Sequence, residues 1–337
     1  MASNWDNVKS ISLCHLIVGG RPDGGASMFL NGLHQIPVLL DLSFDLVSAD
    51  KGVPTESEVR AQITWIESDT GQPLKYLGAV SENNYCQYYD STGQTTQVTR
   101  SGAPQYELSF FFQANKNASP LYSELISLKI TNPSNGAEYN ASSAASNAFQ
   151  TSCQILFLPE KKYGTQNSTL TQIAVRTAPQ PTVSFWGNNN SDSEVVLTYL
   201  QIDDSLFYIH DFTNPSLGYQ DLTYIHKEKQ KPDTNHWWNS WLVTESPVNN
   251  DATLSLRLNK EMCSTSSGNT IGLNAYPEFS VSSHRIYLVW IGVYVEHTTD
   301  DYTYYSPVFN INLHDQFGNS ATVAVQTVPW TNIIDVT

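Results

Sequence analysis

The sequence predicts an all-β protein, two β-sandwich domains of immunoglobulin-like or jelly-roll-like type in tandem. Three observations carry that expectation. Arg285-Ile-Tyr-Leu-Val-Trp-Ile-Gly-Val-Tyr-Val-Glu296 is apolar at nearly every position, rich in β-branched and aromatic residues, and without proline. Such a run reads as a strand covered on both faces, near the middle of a sheet. Ile36, Val38, Leu40, Leu42, Phe44 and Leu46 alternate without a break, as on a half-buried strand. Val308 to Leu313 and Ala321 to Val325 alternate again around Asp315-Gln-Phe-Gly-Asn-Ser320, the pattern of a hairpin with a Gly-Asn turn.

Along the chain, Ile11 to Val18 is a short apolar segment ending in Gly19-Gly20-Arg-Pro-Asp-Gly-Gly25. That stretch is a turn or loop. It has no GxxxxGK[ST] and no following helix pattern, so it is not a phosphate loop. Further strands are expected at 61–67, 74–80, 106–113 and 125–130, then 153–158 and 173–176. Asn132-Pro-Ser-Asn-Gly136 is a turn. The Ala-, Ser- and Asn-rich stretch 140–152 reads as a single short helix or a flexible loop, and the loop is preferred because Ser and Asn compete for backbone hydrogen bonds. Ala178-Pro-Gln-Pro181 is the candidate linker, since two prolines interrupt pairing and stiffen the chain. It divides an N-terminal sandwich, residues 1–177, from a C-terminal one, residues 182–337. In the second half, 194–201, 206–210 and 253–258 read as strands, and Gly218 to Asn239 as a long connection. No amphipathic helix longer than about three turns is expected.

Asn312 to Val325, with Asp315-Gln-Phe-Gly-Asn-Ser320, resembles the strand–turn–strand of bacterial immunoglobulin-like repeats. The resemblance covers about a dozen residues, and no binding residue is carried across.

Composition narrows the function. Of 337 residues only 15% are charged, while 40% are hydrophobic and 12% aromatic. The surface must be built largely from Asn, Ser, Thr and Gln, with weak repulsion per unit area. The net charge is −15, from 17 basic and 32 acidic residues. Nucleic-acid binding needs clustered Lys and Arg to displace counterions. The densest basic patch, Lys227 to Lys231, is interrupted by Glu228. Nucleic acid is therefore not an expected partner. The longest apolar run, Ile286 to Val295, is half of the ~20 residues a membrane helix needs. The N-terminus carries no basic head followed by an apolar core, so synthesis in the cytoplasm is expected, with non-classical export or release left open.

Cys14, Cys86, Cys153 and Cys263 have no CxxC or Cys/His spacing, and free thiols are expected. No GxSxG, HExxH, Walker or EF-hand motif occurs. His210-Asp211 and His314-Asp315 are adjacent on strands, where neighbours point to opposite faces, so neither is a dyad. Asp203-Asp204 and Asp300-Asp301 would bind calcium only if other oxygens converged, and the ligand spacing is missing. No cofactor, metal or catalytic residue is assigned.

The candidate interaction residues are Trp237, Trp238 and Trp241, with Tyr302, Tyr304 and Tyr305 as a second group. Exposed Trp and Tyr stack on sugar faces and anchor interfaces. The competing reading has Trp237 and Trp241 plugging the sandwich end, with Trp238 at its rim. The expectation is a non-enzymatic, self-assembling structural protein, with itself as partner, in a homo-oligomer, filament or inclusion. The alternative is a carbohydrate-binding or host-directed toxin or adhesin module with glycan partners. A hydrolase on a β scaffold ranks third.

Overall fold

The computed structural model describes residues 4–19, 25–89, 104–140, 151–163, 170–176, 183–186, 191–213, 224–229, 236–244, 252–255, 258–264, 270–275, 278–281, 284–295 and 309–325. The fold is all-β, built of several largely antiparallel sheets, with one short α-helix among the described residues. No helix among them is long and apolar enough to cross a membrane. The chain divides into two compact units. The first is Met1–Lys161 together with Gln316–Asn319; the second is Lys162–Asp315 with Ser320–Thr337. Residues 141–150 of the expected loop 140–152, and the expected linker 178–181, lie outside the described residues.

The first unit opens with a 3-10 turn, Asn4–Asn7, and strands β1 (Val8–Ile17), β2 (Ala26–Phe29) and β3 (Gln35–Leu46). Helix α1 (Glu56–Gln62) leads into β4 (Ile63–Glu67). Then come β5 (Leu77–Val80), β6 (Tyr106–Ala114), β7 (Ser123–Thr131), β8 (Glu138–Asn140) and β9 (Cys153–Leu158). One sheet has the order β1-β3-β6-β5; the other runs β2-β9-β7-β4, with β8 paired to β7. The β2–β9 ladder is parallel, against antiparallel pairing elsewhere in this unit's ladders.

The two sheets enclose one apolar cluster, a sandwich-like arrangement. β3 supplies Ile36, Val38, Leu40, Leu42 and Phe44, the alternate positions whose period marks the strand. β7 and β9 supply Ile126, Leu128, Ile130, Ile155 and Phe157. Asp41, between the core positions Leu40 and Leu42, is only 2% exposed.

Helix α1 is short, but it carries a complete capping box. The Glu58 backbone N–H donates to Thr55 Oγ1, and the Thr55 N–H donates to Glu58 Oε2 at 2.6 Å. Asparagines tie the loops. Asn7 Nδ2 donates to Ser48 O at 2.9 Å, and the Ser48 N–H returns to Asn7 Oδ1 at 2.9 Å. Asn132 Nδ2 reaches Trp5 O at 3.0 Å, and Asn132 Oδ1 accepts from the Ser134 N–H. An Asn side chain carries both donor and acceptor, so it replaces two missing ladder bonds at once.

The second unit contains β10 (Leu170–Arg176), β11 (Val183–Trp186), β12 (Ser191–Ile202), β13 (Ile209–Thr213), β14 (Tyr224–Lys229), β15 (His236–Thr244) and β16 (Ala252–Ser255). It continues with β17 (Leu258–Ser264), β18 (Thr270–Ala275), β19 (Glu278–Val281), β20 (Ile286–Val295), β21 (Phe309–Asp315) and β22 (Ser320–Val325). Its largest sheet has the order β10-β12-β20-β15-β14, so the apolar run Ile286 to Val295 is its central strand. Smaller sheets are β11-β18-β17, β13-β21-β22 and β16-β19. β21 and β22 form the expected hairpin, with Gly318 in its turn at φ +78°.

The Gly218 to Asn239 connection needs correction. β14 and the start of β15 lie inside that stretch and pair with each other antiparallel. Alternation is absent from His236-Trp-Trp-Asn-Ser-Trp241 because β15 sits between two partner strands, β14 and β20, where a strict polar face is not required.

Candidate functional site

The most elaborate polar arrangement among the described residues lies in the first unit, around its separate piece Gln316–Asn319. The link from β2 to β3 provides one wall. Asn31 Oδ1 accepts the N–H groups of Leu33 at 2.9 Å and His34 at 2.8 Å, fixing its own turn. That leaves Nδ2 free to donate to Phe317 O at 2.8 Å and Asn319 Oδ1 at 3.0 Å. Asn319 Oδ1 also accepts the Lys161 N–H at 3.1 Å.

His34 is 1% exposed. Its Nδ1 accepts the Phe29 N–H at 2.9 Å, so the proton sits on Nε2, which donates to Gln87 O at 2.9 Å. Burial holds its pKa down at about 4, opposed in part by the Gln87 carbonyl. The ring is therefore neutral and serves as a spacer rather than a proton carrier. Phe317 sits among three aromatic rings, with centroids 5.5 Å from Phe29, 5.1 Å from His34 and 5.5 Å from Tyr89. Such edge and tilted contacts are the favoured ones for aromatic pairs. Gly318 combines positive φ with crowding: a Cβ there would lie 2.7 Å from Leu33 Cβ.

Gln35 and Asn83 complete the wall. Gln35 Nε2 donates to Ser81 O and its Oε1 accepts the Asn83 N–H, both at 2.9 Å. Asn83 Nδ2 donates to Leu33 O at 2.8 Å. The wall is thus made of side-chain amides and rings.

The second unit holds a different pair. β13 and β21 place Asp211 opposite His314, and Asp211 Oδ1 lies 2.8 Å from His314 Nδ1. The sequence neighbours, His210 beside Asp211 and Asp315 beside His314, are not the partners; the sheet register brings the cross-strand combination together. Asp315 is fully buried and accepts from Tyr163 OH at 2.6 Å. Asp204, one of the aspartates weighed for calcium, closes a turn: its Oδ1 accepts the Leu206 N–H at 3.1 Å. No group of three or more metal-ligating side chains occurs among the described residues.

Of the sequence-predicted positions, Trp237, Trp238 and Trp241 lie on β15, where Trp241 is in register with Tyr224 of β14 and Trp290 of β20. Tyr302, Tyr304 and Tyr305 lie outside the described residues. The socket residues Asn31, His34 and Phe317 were missed. Asn31-Gly32 and Gly318-Asn319 announce turns, but nothing local in the sequence pairs them.

No family model matches the sequence, and no curated protein matches it. Among solved structures, one named BspA_C_WT aligns over 93% of this chain and 100% of its own, at 10% identity and a TM-score of 0.19. The C-terminal domain of the Streptococcus pyogenes antigen I/II-family protein AspA aligns over 94% and 100%, at 12% identity and a TM-score of 0.18. Dimeric latent PorU from Porphyromonas gingivalis aligns over 93% of this chain and 33% of its own, at 9% identity and a TM-score of 0.16. Scores this low establish no shared topology.

Proposed function

We propose that this chain is a non-enzymatic structural protein that assembles with copies of itself, and that its second unit, like the first, is a sandwich. The observation that carries the assembly reading is Leu121 with Tyr122. Leu121 is 80% exposed and Tyr122 61%. Leu121 also holds φ at +67°, a conformation that costs a non-glycine residue about 1–3 kcal/mol. The backbone fixes it there: the Leu121 N–H donates to Phe157 O, and the Phe157 N–H to Tyr122 O, each at 2.8 Å. A strained, rigid pair of large apolar side chains directed at water suits a contact whose partner is another molecule. Low charge density supports the same reading, because it leaves little repulsion between copies. Size-exclusion chromatography and negative-stain microscopy test it: Tyr122→Ser should shift wild-type multimers toward single chains with an unchanged melting temperature. Wild type running as a single chain would reject the reading.

Glycan binding is the second reading. The register of Tyr224, Trp241 and Trp290 across three neighbouring strands favours it, as aromatic rows suit sugar faces. A glycan array with wild type and Trp241→Ala tests it, and absence of any wild-type binding would remove it.

A further inference from the structure

We infer that the socket around Asn31 and His34 accepts the Gln316–Asn319 tip of a second copy, linking copies head to tail. This rests on the assembly reading and names the contact that would propagate it.

Three observations support exchange. First, the tip is buried but lies outside the first unit's main apolar cluster. Every member of that unit's apolar cluster lies between Trp5 and Phe157. The socket can therefore form before any tip arrives. Second, both halves are shaped in advance. Asn31 is oriented by the Leu33 and His34 N–H groups, and His34 by Phe29 and Gln87. The tip is shaped by the β21–β22 ladder and by Gly318 at φ +78°. Two preorganised halves bind without a large ordering cost. Third, the bonds that join them are neutral amide bonds spanning 286 and 288 positions of sequence. A tip from another copy makes the same bonds.

Exchange therefore costs only the advantage of closure within one chain, an effective concentration on the order of millimolar for flexibly tethered partners. That advantage is cancelled wherever copies are crowded in an assembly. Tip and socket are different surfaces, so the contact is heterologous and propagates into a ring or filament unless two copies exchange reciprocally.

The test uses two full-length variants. Phe317→Ala empties the ring cage but keeps the socket. Asn31→Asp removes the donor to Phe317 and Asn319 but keeps the acceptor that fixes the local turn and keeps the tip. Sedimentation velocity is run on wild type, on each variant and on their equimolar mixture. Multimers are expected for wild type and their loss in each variant alone. The mixture should give a species of twice the 37.6 kDa chain mass. Gly318→Val, which places side-chain atoms against Leu33, replaces Phe317→Ala if that variant fails to melt cooperatively. A mixture that stays at one-chain mass, or a variant that assembles like wild type, overturns the exchange. Wild-type multimers alongside a monomeric mixture would leave the assembly reading standing. A monomeric wild type with a paired mixture would sink the assembly reading and keep the socket.

Discussion

The backbone N–H of Phe29 donates to Nδ1 of His34 at 2.9 Å, inside a site where the imidazole is 1% exposed. A protonated ring would lose that acceptor and bury a charge, which is why the pKa falls to about 4. In the unfolded chain the same group titrates near about 6.5. The folded state thus resists a proton that the unfolded state takes up. Stability is unaffected above about 6.5, declines as pH falls, and levels off below about 4. The loss is on the order of 3 kcal/mol. Urea melts across pH 7 to 4 check it: His34→Gln should be less stable at pH 7 and show a shallower acid decline. A parallel decline in both proteins would clear His34 of responsibility.

Two glycines with similar backbones should respond differently to alanine. Gly71 and Gly318 have φ of +68° and +78°. A Cβ at Gly71 meets nothing within 4 Å, whereas at Gly318 it lies 2.7 Å from Leu33 Cβ and 3.2 Å from Tyr85 Cγ. Gly71→Ala should cost about 1 kcal/mol, for conformation alone. Gly318→Ala should cost about 1–3 kcal/mol more, since the crowding adds to the strain. Equal losses in denaturant titration would mean that the socket yields freely.

Leu121→Gly separates stability from association. Glycine adopts the φ of +67° without strain, so the variant should gain stability or hold it, to within about 1 kcal/mol. It should also lose association, because the exposed side chain is gone. Unchanged particle size with raised stability would reduce Leu121 to a strained loop residue.

The thiols should be free but shielded. Cys14 and Cys153 are 0% and 2% exposed, and burial pushes both up to about 12. Half-buried Cys86 is raised to about 11, by burial first and by Glu82 second. The thiolate is the reactive form, so native protein at pH 8 should react slowly with a thiol reagent, Cys86 ahead of the other two. In denaturant without reductant all four cysteines of the sequence should react. Fewer than four would reveal a disulfide.

Much of the fold was legible where one face is buried and the other wet. β3 shows its period because Ile36, Val38, Leu40, Leu42 and Phe44 are all core. The central strand β20 was legible from a different signal, an unbroken apolar run. Helix α1 is too short to show an amphipathic period, although Thr55-Glu-Ser-Glu58 spells its capping box. β15 escaped because His236-Trp-Trp-Asn-Ser-Trp241 neither alternates nor forms an unbroken apolar run, so its tryptophans read as a connection. The socket could not be read at all. Asn31 and Phe317 are joined by chain folding over 286 positions, and each alone is an ordinary turn residue.

Charge offers the control on assembly, and sedimentation of the full chain across pH 5 to 10, at low and high salt, tests the central claim most directly. At neutral pH each copy carries −15. Protonating eight histidines would bring that to −7; with His34 held neutral, seven bring it to −8. Unperturbed histidines titrate at about 6.5, so mild acid removes roughly half the net charge. Alkali near pH ~10 adds charge as tyrosines and lysines lose protons. Like charges repel within a Debye length of about 8 Å at physiological salt, and added salt weakens that repulsion. Multimers should be present at pH 7, grow toward pH 5, and shrink in alkali with partial rescue by salt. A single species of one-chain mass under every condition would contradict self-assembly.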